Sequence, residues 1–227
     1  MSRWFVIGNG PSLADTPLDM LIGENTVGIN RINLIYDKTD WRPTIYCKTD
    51  HNPRLVDVYN KENMLNVNVA EKSYLWEEFK DGDPEHPHRH LPVGMGDNDK
   101  VTWVKRCKHH YYFADNHMKR SQSWHLPEIC TAFSGIGPAM QIAVLNGATE
   151  IYLLGCDLGY GNEVGHDHFS MEYSLNKKPL GEWDIENVHY CHVVAKRSSP
   201  VPIFNATIGG NLEVYPRIGL AKVIDGR

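Results

Sequence analysis

The chain has neither a CxxC pair nor an HExxH pattern, and its five cysteines, Cys47, Cys107, Cys130, Cys156 and Cys191, are odd in number and scattered. A disulfide framework and the thiol-pair or HExxH forms of a zinc site are thereby excluded. The cysteines read instead as small buried thiols of a reduced, intracellular protein, so a cytoplasmic location is expected. No run of about 18 apolar residues occurs, and no spanning helix is expected. The apolar segment near the N-terminus is too short for a secretory signal and passes directly into a turn motif. A basic surface is missing as well. Lys and Arg number 23 against 28 Asp and Glu, a formal charge of -5, which argues against a general nucleic-acid or anionic-membrane surface. There is no internal repeat and no low-complexity tract.

What is present fits one globular domain. At 227 residues, with 41% hydrophobic and 22% charged content, the chain can bury a substantial core. It reads as a single α/β domain over 1–227, with an insertion or lid over 81–127. The organising stretch is 131–160, TAFSGIGPAMQIAVLNGATEIYLLGCDLGY. Ser134, Gly135 and Gly137 open an apolar run, 138–145, that suits a helix closing at Asn146-Gly147. Residues 150–154 then form a short buried strand ending at Gly155 and Asp157. In open α/β sheets, ligands sit beyond the carboxyl ends of such strands.

Further strands are expected at 4–7, 26–30 and 44–48. The first leads into GNGPSL at 8–13, where Gly8 and Gly10 permit a tight turn, Pro11 suits a first helical turn and Ser12 offers a hydroxyl. Backbone N–H groups at a strand-to-helix turn attract phosphate. The motif is not GxGxxG and lacks the Lys of a P-loop, which speaks against an ordinary dinucleotide site or a Walker-type ATPase. The three strand ends carry Asn9, Asn30 and Asp50. Such side chains can read ribose hydroxyls or base edges, or simply stabilise their own turns.

Residues 53–80 read as a helix and a strand, with Leu65, Val67 and Val69 alternating and 74–79 rich in aromatics. Region 81–127 is broken by Pro and Gly and carries HPHRH at 86–90 and KHHYYF at 108–113; a helix or strand is expected within 103–112. Segment 171–183 is polar and expected to be mobile. A helix over 184–197 puts His189 and His192 on one face, and 200–205 leads into the last core strand.

Four blocks together, GNGPSL at 8–13, GIN at 28–30, the run from Ser134 to Tyr160 and NATIGGNLEV at 205–214, resemble the MptE-like family, named for 6-hydroxymethylpterin pyrophosphokinase. The first two blocks and the central one are also similar to the bacterial family-42 sialyltransferases. The resemblance implies a Rossmann-like fold: an open, mostly parallel sheet with helices on both faces. It also implies a nucleotide-dependent transferase. Asn9, Asn30, Ser134 and Gly135 would hold the cytidine monophosphate part of a donor, Tyr160 would stabilise the leaving phosphate, and His192 would be the general base, with His189 the competing choice. Three departures qualify this. Tyr160 lies one position further from Asp157 than in the sialyltransferases, their second Tyr is replaced by the Gly165-His166-Asp167-His168 region, and Asp50 stands where they use Asn.

Three functions stay open at this point. Glycosyl transfer from a nucleotide-activated sugar to a small-molecule or glycan acceptor comes first and requires no cofactor. Pyrophosphoryl transfer of the hydroxymethylpterin type would instead need ATP, with Mg²⁺ held between phosphates and Asp50 or Asp157. The third is a noncatalytic nucleotide-binding module. His166, Asp167, His168, His189 and His192 would be the donors of a zinc site, but no metal ligand is assigned. A homo-oligomer also stays open.

Overall fold

The computed structural model describes residues 2–50, 56–82, 94–95, 98–106, 124–125, 128–129, 134–159, 167–174 and 181–226. Eight strands form one sheet: β1 (Arg3–Ile7), β2 (Asn25–Ile29), β3 (Ile45–Lys48), β4 (Lys72–Trp76), β5 (Val101–Arg106), β6 (Glu128–Ile129), β7 (Glu150–Leu154) and β8 (Ile203–Asn205). Their order is β6-β5-β4-β3-β2-β1-β7-β8, and every neighbouring pair is parallel. This is a Rossmann-like α/β fold. The helices are α1 (Val56–Val69), α2 (Glu78–Asp81), α3 (Ile136–Leu145), α4 (Met171–Ser174), α5 (Glu182–Ser198) and α6 (Leu220–Asp225).

From β1 to β6 the chain steps in one direction; α3 then carries it back to β7, on the other side of β1. Because parallel crossovers are right-handed, that reversal puts α1 on one face and α3 with α5 on the other. The central strands are therefore covered on both faces, and their sequences read as continuous apolar runs. Phe5, Val6, Ile7, Ile151, Leu153 and Leu154 are fully buried. Phe5 on β1 stacks on Tyr152 of β7, which stacks on Phe204 of β8. No helix among the described residues is long and apolar enough to cross a membrane.

One expectation is corrected. The alternating Leu65, Val67 and Val69 belong to α1: Val67 is buried beneath it while Leu65 and Val69 are exposed, and the strand is the aromatic-rich Lys72–Trp76. Within 81–127, Val101–Arg106 is a strand of the sheet, paired to β4. It extends the core, whereas HPHRH and KHHYYF lie outside the described residues. At the other sheet edge, the turn of NATIGG is clamped by Arg217, whose guanidinium donates to the carbonyls of Thr207, Gly209 and Gly210.

Candidate active-site crevice

Ile7 of β1 pairs with Gly28 of β2 and with Leu154 of β7, so the turns after these strands emerge at one level of the sheet edge. At the switch between β1 and β7, where a ligand crevice is expected, the two turns are locked together. The Gly8 and Gly10 N–H groups donate to the carbonyls of Leu154 and Gly155. A Cβ on Gly8 would lie 2.5 Å from the Gly155 oxygen, and one on Gly10 would lie 2.0 Å from Oδ2 of Asp157. These glycines serve close packing of one turn on the other.

Asp157 completes the lock. Its Oδ2 accepts from the Ser12 hydroxyl at 2.9 Å, and its Oδ1 accepts from the Ser12 N–H at 3.2 Å. The carboxylate thus takes up the Ser12 N–H and hydroxyl, donors expected from the sequence to serve a phosphate. Asp157 is held from behind as well, because its carbonyl accepts from the Asn211 N–H and its neighbour Cys156 donates its N–H to Thr207. Burial raises the Asp157 pKa from its ordinary 3.8, partly offset by the Ser12 hydrogen bonds. The native state then binds more protons than the unfolded chain just above 3.8, and stability falls as pH rises through that window. Asp157→Asn keeps an acceptor for the Ser12 N–H and removes this slope; a change within about 1 kcal/mol is expected on thermal unfolding. Asp157→Ala leaves the Ser12 N–H without its acceptor and is expected to cost about 2 kcal/mol.

The rest of this edge, over β1, β2 and β3, is organised by Asn30. Asn30 holds a left-handed backbone (φ 51°) that Asn tolerates better than most residues. Its Oδ1 accepts from the N–H groups of Thr49 and Asp50 and from the Thr49 hydroxyl. Its carbonyl accepts from Tyr46 and Asn66. Those partners leave Nδ2 facing the Ser134-Gly135 turn, where a Cβ on Gly135 would sit 3.3 Å from Nδ2 and 2.8 Å from Oγ1 of Thr49. Gly135→Ala is therefore expected to push Thr49 and Asn30 aside and to weaken ligand binding about tenfold while lowering the unfolding midpoint by only a few degrees, since side-chain tips can yield. Ser134 accepts the Ile136 N–H at the start of α3, so its own O–H is directed by that bond.

Asn9 lies beside this group, 6% exposed. Its Nδ2 donates to the Ile29 carbonyl and to the Tyr173 hydroxyl, both at 3.0 Å. The structure thus brings Asn9, Asn30, Asp50, Ser134 and Gly135 to one edge and assigns Gly8, Gly10, Ser12 and Asp157 to the adjoining lock. Tyr160 lies outside the described residues.

The histidines separate. His192 is 3% exposed on α5, its Nδ1 3.2 Å from the Tyr215 hydroxyl, and burial lowers its pKa to about 3. A base so weak and so enclosed is a structural group. His189, one turn earlier, is exposed. His168 stacks on Tyr173 with ring centres 3.9 Å apart. Among the described residues no three His, Cys, Asp or Glu side chains are grouped to hold a metal ion; His166 lies outside them. Cys47, Cys156 and Cys191 are buried free thiols, and burial pushes the Cys191 thiol up to about 12.

Sequence reasoning passed over a second set of residues. Arg31 donates to both oxygens of Glu62 and to the carbonyls of Glu172 and Tyr173. Lys48, 1% exposed, places its ammonium 4.2 Å from the Tyr59 ring centre. The available signal was a charge directly after a buried strand, GIN-Arg31, or ending one, Lys48. Segment 171–183, expected to be mobile, begins with helix α4 fastened by Arg31.

With this geometry in place, the comparison that decides the fold is with a solved structure. The MAf glycosyltransferase from Magnetospirillum magneticum AMB-1 superposes with a TM-score of 0.53 over 96% of this chain, at 12% identity. The two share a fold. This chain spans 33% of the length of the MAf chain. No protein-family model and no curated protein matches the sequence.

Proposed function

We propose that this chain is a nucleotide-dependent transferase that moves a sugar from a nucleotide-activated donor to a small-molecule or glycan acceptor. The observation that carries this reading is the convergence of Asn9, Asn30, Asp50 and the Ser134-Gly135 turn at the carboxyl ends of β1 to β3, beside the N-terminus of α3. Carboxamides there suit a nucleoside, which needs well-directed donors and acceptors. The start of α3, with the Ser134 hydroxyl, suits the phosphate, where hydrogen bonds strengthen as charge develops on the departing group. The fold shared with MAf, itself a glycosyltransferase, supports transfer of a glycosyl group.

In the sialyltransferase-like form of this reading, a base accepts the proton of the acceptor hydroxyl. His192 is poorly suited to that task for the reasons of burial and basicity given above, and the exposed His189 is the α5 candidate. Pyrophosphoryl transfer would call on Asp50 or Asp157 to face Mg²⁺ and phosphates; both oxygens of Asp157 are engaged by Ser12, which leaves Asp50 for that part. The test is turnover. Incubation with CMP-, UDP- and GDP-sugars in chelator is expected to release one nucleotide, faster with acceptor glycans present. AMP release from ATP that depends on Mg²⁺ and a pterin would instead establish pyrophosphoryl transfer, and nucleotide binding without any turnover would leave a noncatalytic module.

A further inference from the structure

The buried carboxamide of Asn9 has one atom without a partner among the described residues. Which atom is which follows from chemistry: the Ile29 carbonyl can only accept, so the group facing it must be Nδ2. The second Nδ2 hydrogen goes to the Tyr173 hydroxyl. Oδ1 is thereby left buried with its acceptor capacity unused by those residues. Native proteins rarely leave a buried acceptor unmatched except where function uses it.

Residues 167–174 form a strap over this group. The Phe169 N–H donates to the Asn9 carbonyl, and Tyr173 is buried with its ring stacked on His168. Arg31 fastens the strap from beneath: its guanidinium donates to the carbonyls of Glu172 and Tyr173, lies 5.8 Å from the Tyr173 ring centre, and is held in turn by Glu62 on α1.

We propose that Tyr173 and Arg31 are positioning residues of the crevice: Tyr173 orients the Asn9 carboxamide so that Oδ1 is reserved for a hydrogen-bond donor of the ligand, and Arg31 holds the strap down over it. The inference rests on the nucleotide reading given above and deepens it. The ligand group at Asn9 is then a hydroxyl or an amino group, and a phosphate oxygen is disfavoured there because two acceptors would face each other.

The test is calorimetric titration of CMP, 2′-deoxy-CMP, 2′,3′-dideoxy-CMP and UMP into wild type, Tyr173→Phe and Arg31→Lys, with stopped-flow release of CMP. In wild type, loss of the donor that meets Asn9 is expected to weaken binding at least about tenfold relative to CMP, the scale of one buried hydrogen bond. In Tyr173→Phe the ring and its packing remain but the carboxamide is freed, and the discrimination is expected to shrink below about threefold while affinity for inorganic pyrophosphate is unchanged. Arg31→Lys keeps the charge but cannot hold Glu62 through the Nε–Nη2 fork and donate to the Glu172 and Tyr173 carbonyls at once; it is expected to release CMP about tenfold faster with the ranking of analogues preserved. Unchanged discrimination in Tyr173→Phe, or an equal loss of pyrophosphate binding, overturns the proposal and leaves the nucleotide reading standing. Binding of no nucleotide by wild type, with UDP, GDP and ATP titrated alongside these four, overturns both.

Discussion

Gly10→Ala is expected to abolish folding, or to lower stability by more than about 3 kcal/mol. The added Cβ would lie 2.0 Å from Oδ2 of Asp157 and 2.8 Å from the Gly155 carbonyl oxygen, and neither can retreat cheaply. Asp157 is tied to Ser12, and the Gly155 oxygen already accepts the Gly10 N–H. Gly8→Ala meets the same backbone at 2.5 Å and is expected to be as harmful. Gly23 supplies the control. Its φ of +86° makes alanine strained there, but nothing lies within 4 Å, so a loss of only about 1 kcal/mol is expected. Urea unfolding of the three variants checks the ranking. If Gly10→Ala unfolds near the wild-type midpoint, the interlock of the β1 and β7 turns is not what the glycines serve.

Acid should unfold this protein earlier than its carboxylates alone would require. The His192 pKa is lowered from 6.5 to about 3 because burial penalises the charged ring. Between those values the unfolded chain carries a proton on this side chain that the native state lacks, so stability rises with pH through the window and is lost as pH falls from 6.5. Each tenfold change in proton affinity is worth about 1.4 kcal/mol, so the full effect is on the order of 5 kcal/mol. His192→Gln cannot titrate and can still meet the Tyr215 hydroxyl. It is expected to cost about 1–2 kcal/mol at pH 7.5 but to flatten the fall between pH 6.5 and 4. Asp157 acts with the opposite sign just above 3.8, which makes the variant comparison at fixed pH the decisive one. Equal slopes for wild type and His192→Gln from pH 6.5 to 4 would contradict a neutral, buried His192.

Much of the fold is written locally. Trp4 to Ile7 and Ile151 to Leu154 are short apolar runs because β1 and β7 are covered on both faces, and Asn146-Gly147 ends α3 as its turn chemistry directs. Alternation misled at 65–69, where a three-residue hydrophobic pattern of period two is too short to separate a strand from an α-helix with one buried side. The crevice was legible in part. Asn9, Asn30 and Ser134 are recognisable as polar groups at strand and helix ends, and the sheet order brings them together. Asp157 reads from sequence either as a metal ligand or as a group that fixes its loop through backbone amides, but its partner was not legible, because a carboxylate after a strand gives no local sign of which turn amide it will meet. Nor was the Arg31 latch, whose partners, Glu62, Glu172 and Tyr173, lie far away in sequence. For His192 the sequence left a catalytic and a structural role level: spacing puts it on a helix face with His189, but only the packing of α5 against α3 and Tyr215 decides that this residue points inward.

The central claim is that the crevice over β1 to β3, organised by Asn30 and the start of α3, binds a nucleotide without a metal. Calorimetric titration of CMP, UDP, GDP and ATP in chelator, into wild type and Asn30→Ala, tests it most directly. One nucleotide bound by wild type, with affinity falling at least about tenfold in Asn30→Ala while the protein stays folded, is the predicted result. Binding that survives Asn30→Ala unchanged, or that appears only when Mg²⁺ and ATP are supplied together, would contradict it.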